Sequence, residues 1–314
     1  MSEKTRLSIV IPCYNEEAVL PQTRQAIASK LQSLVAQGLV HPQSKIFFID
    51  DGSSDNTWEI INSYARESEV FHGIKLSRNY GHQNALLAGL LSVDGDVVVS
   101  MDADLQDDID AVDGMLHKYL DGAEIVYAVR ANRQVDSRFK RMSAQGYYRS
   151  LQKMGVELVY NHADFRLMGR NAINALKDFK EVNLFLRGII PLLGFRTDTV
   201  YYNRRARFDG ESKYSMLKML AFAIEGITSF TNVPLRLITA LGFLVSLFAF
   251  LMIFWVLAIW LFTERAAPGW ASTVIPTFFL GGVQLLSIGV VGEYVAKIYM
   301  ETKRRPAYII EKVV

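Results

Sequence analysis

Cysteine occurs once, at Cys13, so no disulfide can close within the chain, and the five histidines show no zinc-ligand spacing. A reducing compartment is therefore allowed. Glycine is late to appear. The first is Gly38, outside any turn that follows an early strand, whereas dinucleotide-binding and P-loop folds both need a glycine-rich turn there. The opening stretch MSEKTRLSIVIP has too short an apolar run, and no small-residue cleavage site, to read as a signal peptide, and it is expected to form the first strand. No internal repeat or low-complexity linker interrupts the chain. Charge is missing altogether from Leu237 to Phe262 and from Trp270 to Gly292. Each stretch exceeds the roughly 20 residues that cross a bilayer, so two transmembrane helices are expected.

What is present is led by VVVSMDADLQDD, an apolar β-branched run from Val97 that ends in Asp102, Asp104, Asp107 and Asp108. Carboxylates crowded at a strand end repel one another and raise each other's pKa unless a positive charge lies among them. A divalent cation answers that need. Oxygen ligands of this kind suit Mg²⁺ or Mn²⁺, which take one or two carboxylates and fill their remaining positions with water and substrate phosphates. The competing reading gives Asp107 or Asp108 to the cap of a helix starting near Ile109. A net charge of +2 hides a segregation. Acids crowd Asp102 to Asp113, while Arg130 to Arg149 and Arg196 to Lys218 are basic, which suits phosphate ligands and anionic lipid surfaces.

The rest of the chain cycles between strand and helix. Strands are read at Leu7–Pro12, Lys45–Asp50, Phe71–Ser77 and Asp96–Met101, with helical patterns after each, and alternating βα units imply a parallel sheet covered on both faces. Ligands of such sheets lie beyond the carboxyl ends of the strands, where PCYNEE, DDGSSDNT and DADLQDD all fall. A second zone, Glu124 to Arg207, contributes a strand ending at Arg130, a basic amphipathic helix near Arg138 to Lys153, the segment HADFRLMGR and a strand near Thr199 to Arg205. The stretch that follows places Met216, Leu217, Leu220, Phe222, Ile224 and Ile227 beside Lys213, Lys218 and Glu225. It is expected to lie on a membrane surface as one or two helices, broken by Pro234 before the first span. With an Asp-x-Asp metal, no P-loop and a downstream basic patch, the ligand indicated is a nucleotide-sugar pyrophosphate.

These motifs, with SRNYGHQNALLAG, ADFRLM, RFDGESKYS and VGEYVAKIYMETKRRPAYII, resemble the polyprenyl-phosphate glycosyltransferases of the inverting GT-A, family 2 class. Within it the chain is most similar to the bactoprenol (undecaprenyl-phosphate) glucosyltransferases encoded with O-antigen modification clusters, and dolichol-phosphate mannose synthases and undecaprenyl-phosphate aminoarabinose transferases are relatives. The resemblance implies an α/β, Rossmann-like, mostly parallel GT-A domain over 1–210, juxtamembrane amphipathic helices over 211–235, a transmembrane hairpin over 236–296 and a cytoplasmic tail over 297–314. Pro12, Tyr14, Glu16, Asp51 and Asp102, with Arg207 and Lys213, are implied to bind the nucleotide. Asp102, Asp104 and Gln106 are implied to hold Mg²⁺ or Mn²⁺. Arg130, Ser212 and Lys213 are implied to meet substrate phosphate, and Asp102 and Asp164 to serve catalysis. For Asp164 the alternatives are a base, an orienting group, or a cap or partner of Arg166. A lipid phosphate is already largely ionised at pH 7, so its attack on the anomeric carbon needs no strong base.

The implied reaction transfers a hexose, with UDP-glucose as the leading donor, to polyprenyl phosphate on the cytoplasmic leaflet of the inner membrane, after which a separate flippase acts. Alternatives are UDP-N-acetylglucosamine, GDP-mannose or a UDP-aminoarabinose derivative as donor, or a membrane-anchored binding protein without catalysis. No nucleic-acid partner is expected, and the resemblance allows a homo-oligomer, a tetramer in the family's pattern. A processive polysaccharide synthase is excluded because no tryptophan lies between Trp58 and Trp255 to form its Gln-x-x-Arg-Trp motif. Topology follows from charge. Arg236 precedes the first span, and Lys297, Lys303, Arg304 and Arg305 follow the second, while Glu264 and Arg265 cancel in the connecting loop. Both ends of the hairpin, the catalytic domain and both termini are thus expected in the cytoplasm.

Overall fold

The computed structural model describes residues 4–131, 162–181, 184–203, 233–262 and 270–314. These fall into two compact units, one built on a sheet that includes residues from Arg304 to Val314, the other holding two long helices. The sheet unit opens with β1 (Leu7–Cys13), α1 (Leu20–Ala36), β2 (Lys45–Asp50), α2 (Thr57–Glu67), β3 (Phe71–Leu76), α3 (His82–Ser92), β4 (Val97–Ser100) and α4 (Ala111–Leu120). After β5 (Ile125–Arg130) come β6 (His162–Gly169), α5 (Arg170–Leu176), α6 (Leu186–Leu192) and β7 (Thr197–Tyr202). The eight strands lie in the order β7-β5-β6-β4-β1-β2-β3-β8, where β8 is Ile310–Val313.

The central pairs β1·β2, β1·β4 and β2·β3 are parallel. Strands β1, β2 and β4 read as near-continuous apolar runs because helices cover both faces, and every residue of β1 and β4 is buried, whereas β3 carries half-buried His72 and Lys75. Helix α3 packs so closely that a Cβ at Gly89 would stand 2.3 Å from Val10 and 2.9 Å from Ile49. Pro12 is tolerated in a central strand for a definable reason. The carbonyl of Val10 accepts from Met101 on the β4 side, and residues two apart direct their backbone groups the same way. Pairing with β4 ends at Val10, so the N–H that proline lacks would have pointed where no ladder continues.

Two strands depart from simple βα alternation. Strand β6 runs antiparallel to both β4 and β5 and separates them, which makes the sheet mixed and GT-A-like. Strand β8 adds antiparallel to β3, with Gly73 and Val314 exchanging N–H···O bonds of 2.9 Å and Ser77 N–H donating to the carbonyl of Ile309 at 3.0 Å. The stretch expected as a tail therefore first continues a helix, to Thr302, and then becomes an edge strand that covers β3.

The helical unit contains α7 (Val233–Phe262) and α8 (Trp270–Thr302). Pro234 lies in the first turn of α7, where its missing N–H costs nothing. Among the described residues, Phe279–Thr302 is long and apolar enough to cross a membrane, and Val233–Val245 is a shorter apolar stretch. Two long helices are thus present, and among the described residues one of them contains a stretch long and apolar enough to cross a membrane. The expected helices over 138–153 and 211–232 lie outside the described residues.

Candidate active site

Three loops at the carboxyl ends of β1, β2 and β3 are stitched together by polar bonds. Asn15, held at φ 55°, donates its N–H to Ser53 Oγ at 3.0 Å and accepts at Oδ1 from Ser54 N–H at 2.9 Å. Glu16 N–H donates to Thr57 Oγ1 at 2.9 Å. Asp51 accepts at its two carboxylate oxygens from the N–H groups of Tyr80 (2.7 Å) and Gly81 (2.9 Å). Burial raises the Asp51 pKa more than these bonds lower it. Gly52 is required where it stands, since φ is +65° and a Cβ would come within 2.4 Å of the Arg78 backbone. Of the implied nucleotide contacts, Pro12 closes β1 and is buried, Asp51 is buried beneath the loop it holds, and Tyr14 is the exposed member at 47%.

The acidic loop follows β4. Thr23 of α1 anchors it by donating to the carbonyl of Ala103 at 2.6 Å, Leu105 adopts φ 51°, and Gln106 N–H donates to Asp104 Oδ1 at 3.1 Å. The backbone of Gln106 thereby orients the carboxylate of Asp104. Asp108 accepts from Asp110 N–H at 3.4 Å in the turn into α4, so the helix start takes up Asp108 while Asp107 is used elsewhere. Asp107 Oδ1 accepts from the Tyr202 hydroxyl at 2.5 Å and from Arg130 Nη2 at 3.4 Å, and Arg130 Nε donates to the Tyr202 oxygen at 3.1 Å.

Beside this loop stands a second cluster, centred on Asp164 of β6. Its carboxylate pairs with Arg166 Nη2, accepts from Arg187 at 3.1 and 3.2 Å and from Gln83 Nε2 at 3.1 Å, and faces His82 Nε2 at 3.4 Å. The same His82 nitrogen lies 3.6 Å from Asp102 Oδ1. Burial would raise the Asp164 pKa, but the His82 bond and the two guanidiniums hold it well below the usual carboxylate range. Asp102 goes the other way. Burial, with Asp107, Asp164 and Asp104 nearby, lifts it to about 6 against the opposing pull of His82. For His82, burial favours the neutral ring, yet Asp164 and Asp102 raise its pKa overall.

The arrangement fits a cation at Asp102 and Asp104. Asp102 Oδ1 is buried with no hydrogen-bond partner among the described residues, and burial together with Asp107, Asp164 and Asp104 around it outweighs the pull of His82 and raises its pKa. No set of three His, Cys, Asp or Glu side chains gathers as a metal cage among the described residues. A Mg²⁺- or Mn²⁺-type site with two carboxylates needs none, because water and diphosphate oxygens complete it. Gln106 is buried with Nε2 lacking a partner among the described residues.

Sequence reasoning had named Asp102, Asp104, Gln106, Arg130 and Asp164, and the fold brings them to one end of the sheet. It had not named His82, Gln83, Asp107, Arg187 or Tyr202 as site residues. The first three lie within quoted motifs, whereas Arg187 and Tyr202 carry no local signal. Arg207, Ser212 and Lys213 lie outside the described residues.

Comparison with known proteins places this geometry in context. The family described as Glycosyl transferase family 2 matches residues 8–177. The glycosyltransferase YkoT of Bacillus subtilis (strain 168) is 45% identical over 311 residues, 97% of this chain and 91% of that protein. The SfII prophage-derived bactoprenol glucosyl transferase of Shigella flexneri is 39% identical over 308 residues, 98% of each chain. The prophage bactoprenol glucosyl transferase homolog of Escherichia coli (strain K12) is 37% identical over 309 residues, 98% of this chain and 99% of the other.

Proposed function

This chain belongs to glycosyl transferase family 2, and from that premise we propose that it transfers a hexose, glucose from UDP-glucose in the first instance, to the phosphate of a polyprenyl lipid. The observation that carries the reading is the carboxyl end of the sheet. There the carboxylates of the β4 loop meet His82 and Arg130, Asp164 of β6 meets Arg187, and phosphate must be bound by side chains because no glycine-rich loop is present. Support for a lipid acceptor comes from the apolar helix Phe279–Thr302 and from relatives named bactoprenol glucosyl transferase that match nearly the whole chain.

In this reading the loops after β1 and β2 take the nucleotide, with Tyr14 offering an exposed ring and Pro12, Glu16 and Asp51 shaping the floor. Asp102 and Asp104 would hold Mg²⁺ or Mn²⁺, with Gln106 fixing Asp104 from the backbone; when bound, the ion neutralises charge on the leaving diphosphate. Arg207, Ser212 and Lys213 close on the phosphates. Arg130 meets the acceptor phosphate, whose oxygen attacks the anomeric carbon from the face opposite the diphosphate, so the centre inverts. Asp164 orients. Held ionised by two guanidiniums, it fixes Arg187, Gln83 and His82 around the reacting groups, and its low pKa makes it a weak proton acceptor. The two long helices form a membrane hairpin with both ends cytoplasmic, and the product awaits a separate flippase.

Incubating the purified protein and undecaprenyl phosphate with UDP-glucose, UDP-N-acetylglucosamine, UDP-galactose or GDP-mannose, and weighing the lipid products by mass spectrometry, tests the reading. A hexosyl-phosphate lipid from one donor is expected. UDP-glucose binding without any sugar-lipid from any donor would instead favour a binding protein.

A further inference from the structure

The strand order divides the site in two. The loops after β1, β2 and β3 lie on one side of β4 and its acidic loop, while Arg130 and Tyr202 end β5 and β7 on the other. At about 4.8 Å per strand, β5 is roughly 14 Å from β1, across β6 and β4. A nucleotide seated over β1 to β3 leaves the β5/β7 side for a second substrate.

On that side one buried hydroxyl joins everything. Tyr202 is 4% exposed and pairs in register with Arg130. Its hydroxyl donates to Asp107 of the acidic loop and accepts from Arg130 Nε, so one oxygen ties the guanidinium to the loop beside the longer direct contact of Arg130 Nη2 with Asp107 at 3.4 Å. The ring is held independently of the hydroxyl by an edge-on contact with Phe165, centroids 5.7 Å apart. Arg130 is a quarter exposed at its side chain, so the group being aimed reaches the crevice. An arginine fork recognises phosphate by direction as well as charge, and a fork left to swing loses much of that recognition.

We propose that Tyr202 is a positioning residue for the acceptor phosphate, acting through Arg130; this rests on the lipid-phosphate transfer proposed above. Tyr202→Phe keeps the ring and removes the shorter link between Arg130 and Asp107, leaving their direct contact at 3.4 Å. Equilibrium binding of undecaprenyl phosphate in detergent micelles should weaken about tenfold, and the acceptor KM should rise by a similar factor. UDP affinity should stay within twofold, because the nucleotide loops are on the far side of β4. Arg130→Lys should weaken acceptor binding by itself, and adding Tyr202→Phe to it should change little further. Unchanged acceptor affinity in Tyr202→Phe would overturn the proposal, as would parallel losses of UDP affinity and acceptor affinity, or effects of the two substitutions that multiply. A wild-type protein that binds undecaprenyl phosphate but adds no sugar to it would overturn the transfer reaction alone, and the binding comparison would still decide the role of Tyr202.

Discussion

Replacing Asp164 should injure the fold before it injures the chemistry. Its carboxylate is 6% exposed and is the counter-charge at Nη2 of Arg166, whose side chain is fully buried and whose Nη1 has no hydrogen-bond partner among the described residues. Removing one partner of a buried pair leaves an uncompensated charge, a loss of about 3–5 kcal/mol. Asparagine still offers an oxygen to Arg166 and should fall near about 3 kcal/mol, with alanine nearer the upper end. The pH dependence has a definite sign. A carboxylate whose folded pKa is depressed contributes stability that is present above its unfolded value of about 3.9 and is lost only as pH falls through the folded one. For Asp164, held well below the ordinary range, the contribution is therefore constant from pH 5 to pH 8. Urea unfolding of wild type and Asp164→Asn at four pH values across that window should show an offset throughout, larger at the acid end, where protonated His82 also loses the partner that raises its pKa. A variant with the wild-type midpoint and a turnover loss of about a thousandfold would refute the reasoning, because that is the signature of a general base.

Other expectations concern the remaining parts of the chain. Removing residues 309–314 uncovers the edge of β3 and deletes the bonds of Gly73 and Ser77 to that segment; net hydrogen-bond values near 1 kcal/mol put the loss of stability on the order of 3 kcal/mol, read as a lower unfolding midpoint. Unchanged stability would mean that β8 does not hold the edge in solution. Arg207→Ala and Lys213→Ala should weaken UDP affinity and turnover together while leaving the unfolding midpoint in place, and unaltered affinity and rate in both would make the segment a solvated charge run. A cysteine at Ala267 in a Cys13→Ser background should react with an impermeant maleimide on intact cells, whereas labelling only after lysis would reverse the topology.

The sequence was most readable where burial is simplest. Strands β1, β2 and β4 are apolar runs ended by polar loops and β3 is a half-apolar one, FHGIKL, and their places and polarity of connection follow from that pattern, with boundaries shifted by a residue or two. Strand β6 was harder to read, since it inserts antiparallel between β4 and β5 and places Arg166 at a fully buried position, where an apolar residue is the ordinary expectation. Strand β8 was hidden for the opposite reason. Its residues are exposed on an edge, and IEKV has no apolar face to announce it. The acidic loop was legible because its carboxylates are neighbours in sequence. Arg187 and Tyr202 were not, because they reach Asp164 and Asp107 across 23 and 95 residues, and such pairings are made by the sheet order rather than by any local motif. Asp107 illustrates the limit of local rules, since a helix cap was a sound expectation for it and the distant Tyr202 hydroxyl took it instead.

The central claim is that the β4 carboxylates support sugar transfer to a lipid phosphate, and label transfer tests it most directly. Purified protein, undecaprenyl phosphate and radiolabelled UDP-glucose are combined with Mg²⁺ or Mn²⁺, and label is counted in the organic extract over time. The account predicts steady incorporation by the wild type, abolished by chelator and reduced at least about a hundredfold in Asp104→Ala, the scale expected when several kcal/mol of transition-state stabilisation is removed. Undiminished incorporation by the wild type after chelation, or wild-type incorporation by Asp104→Ala with the cation present, would contradict it.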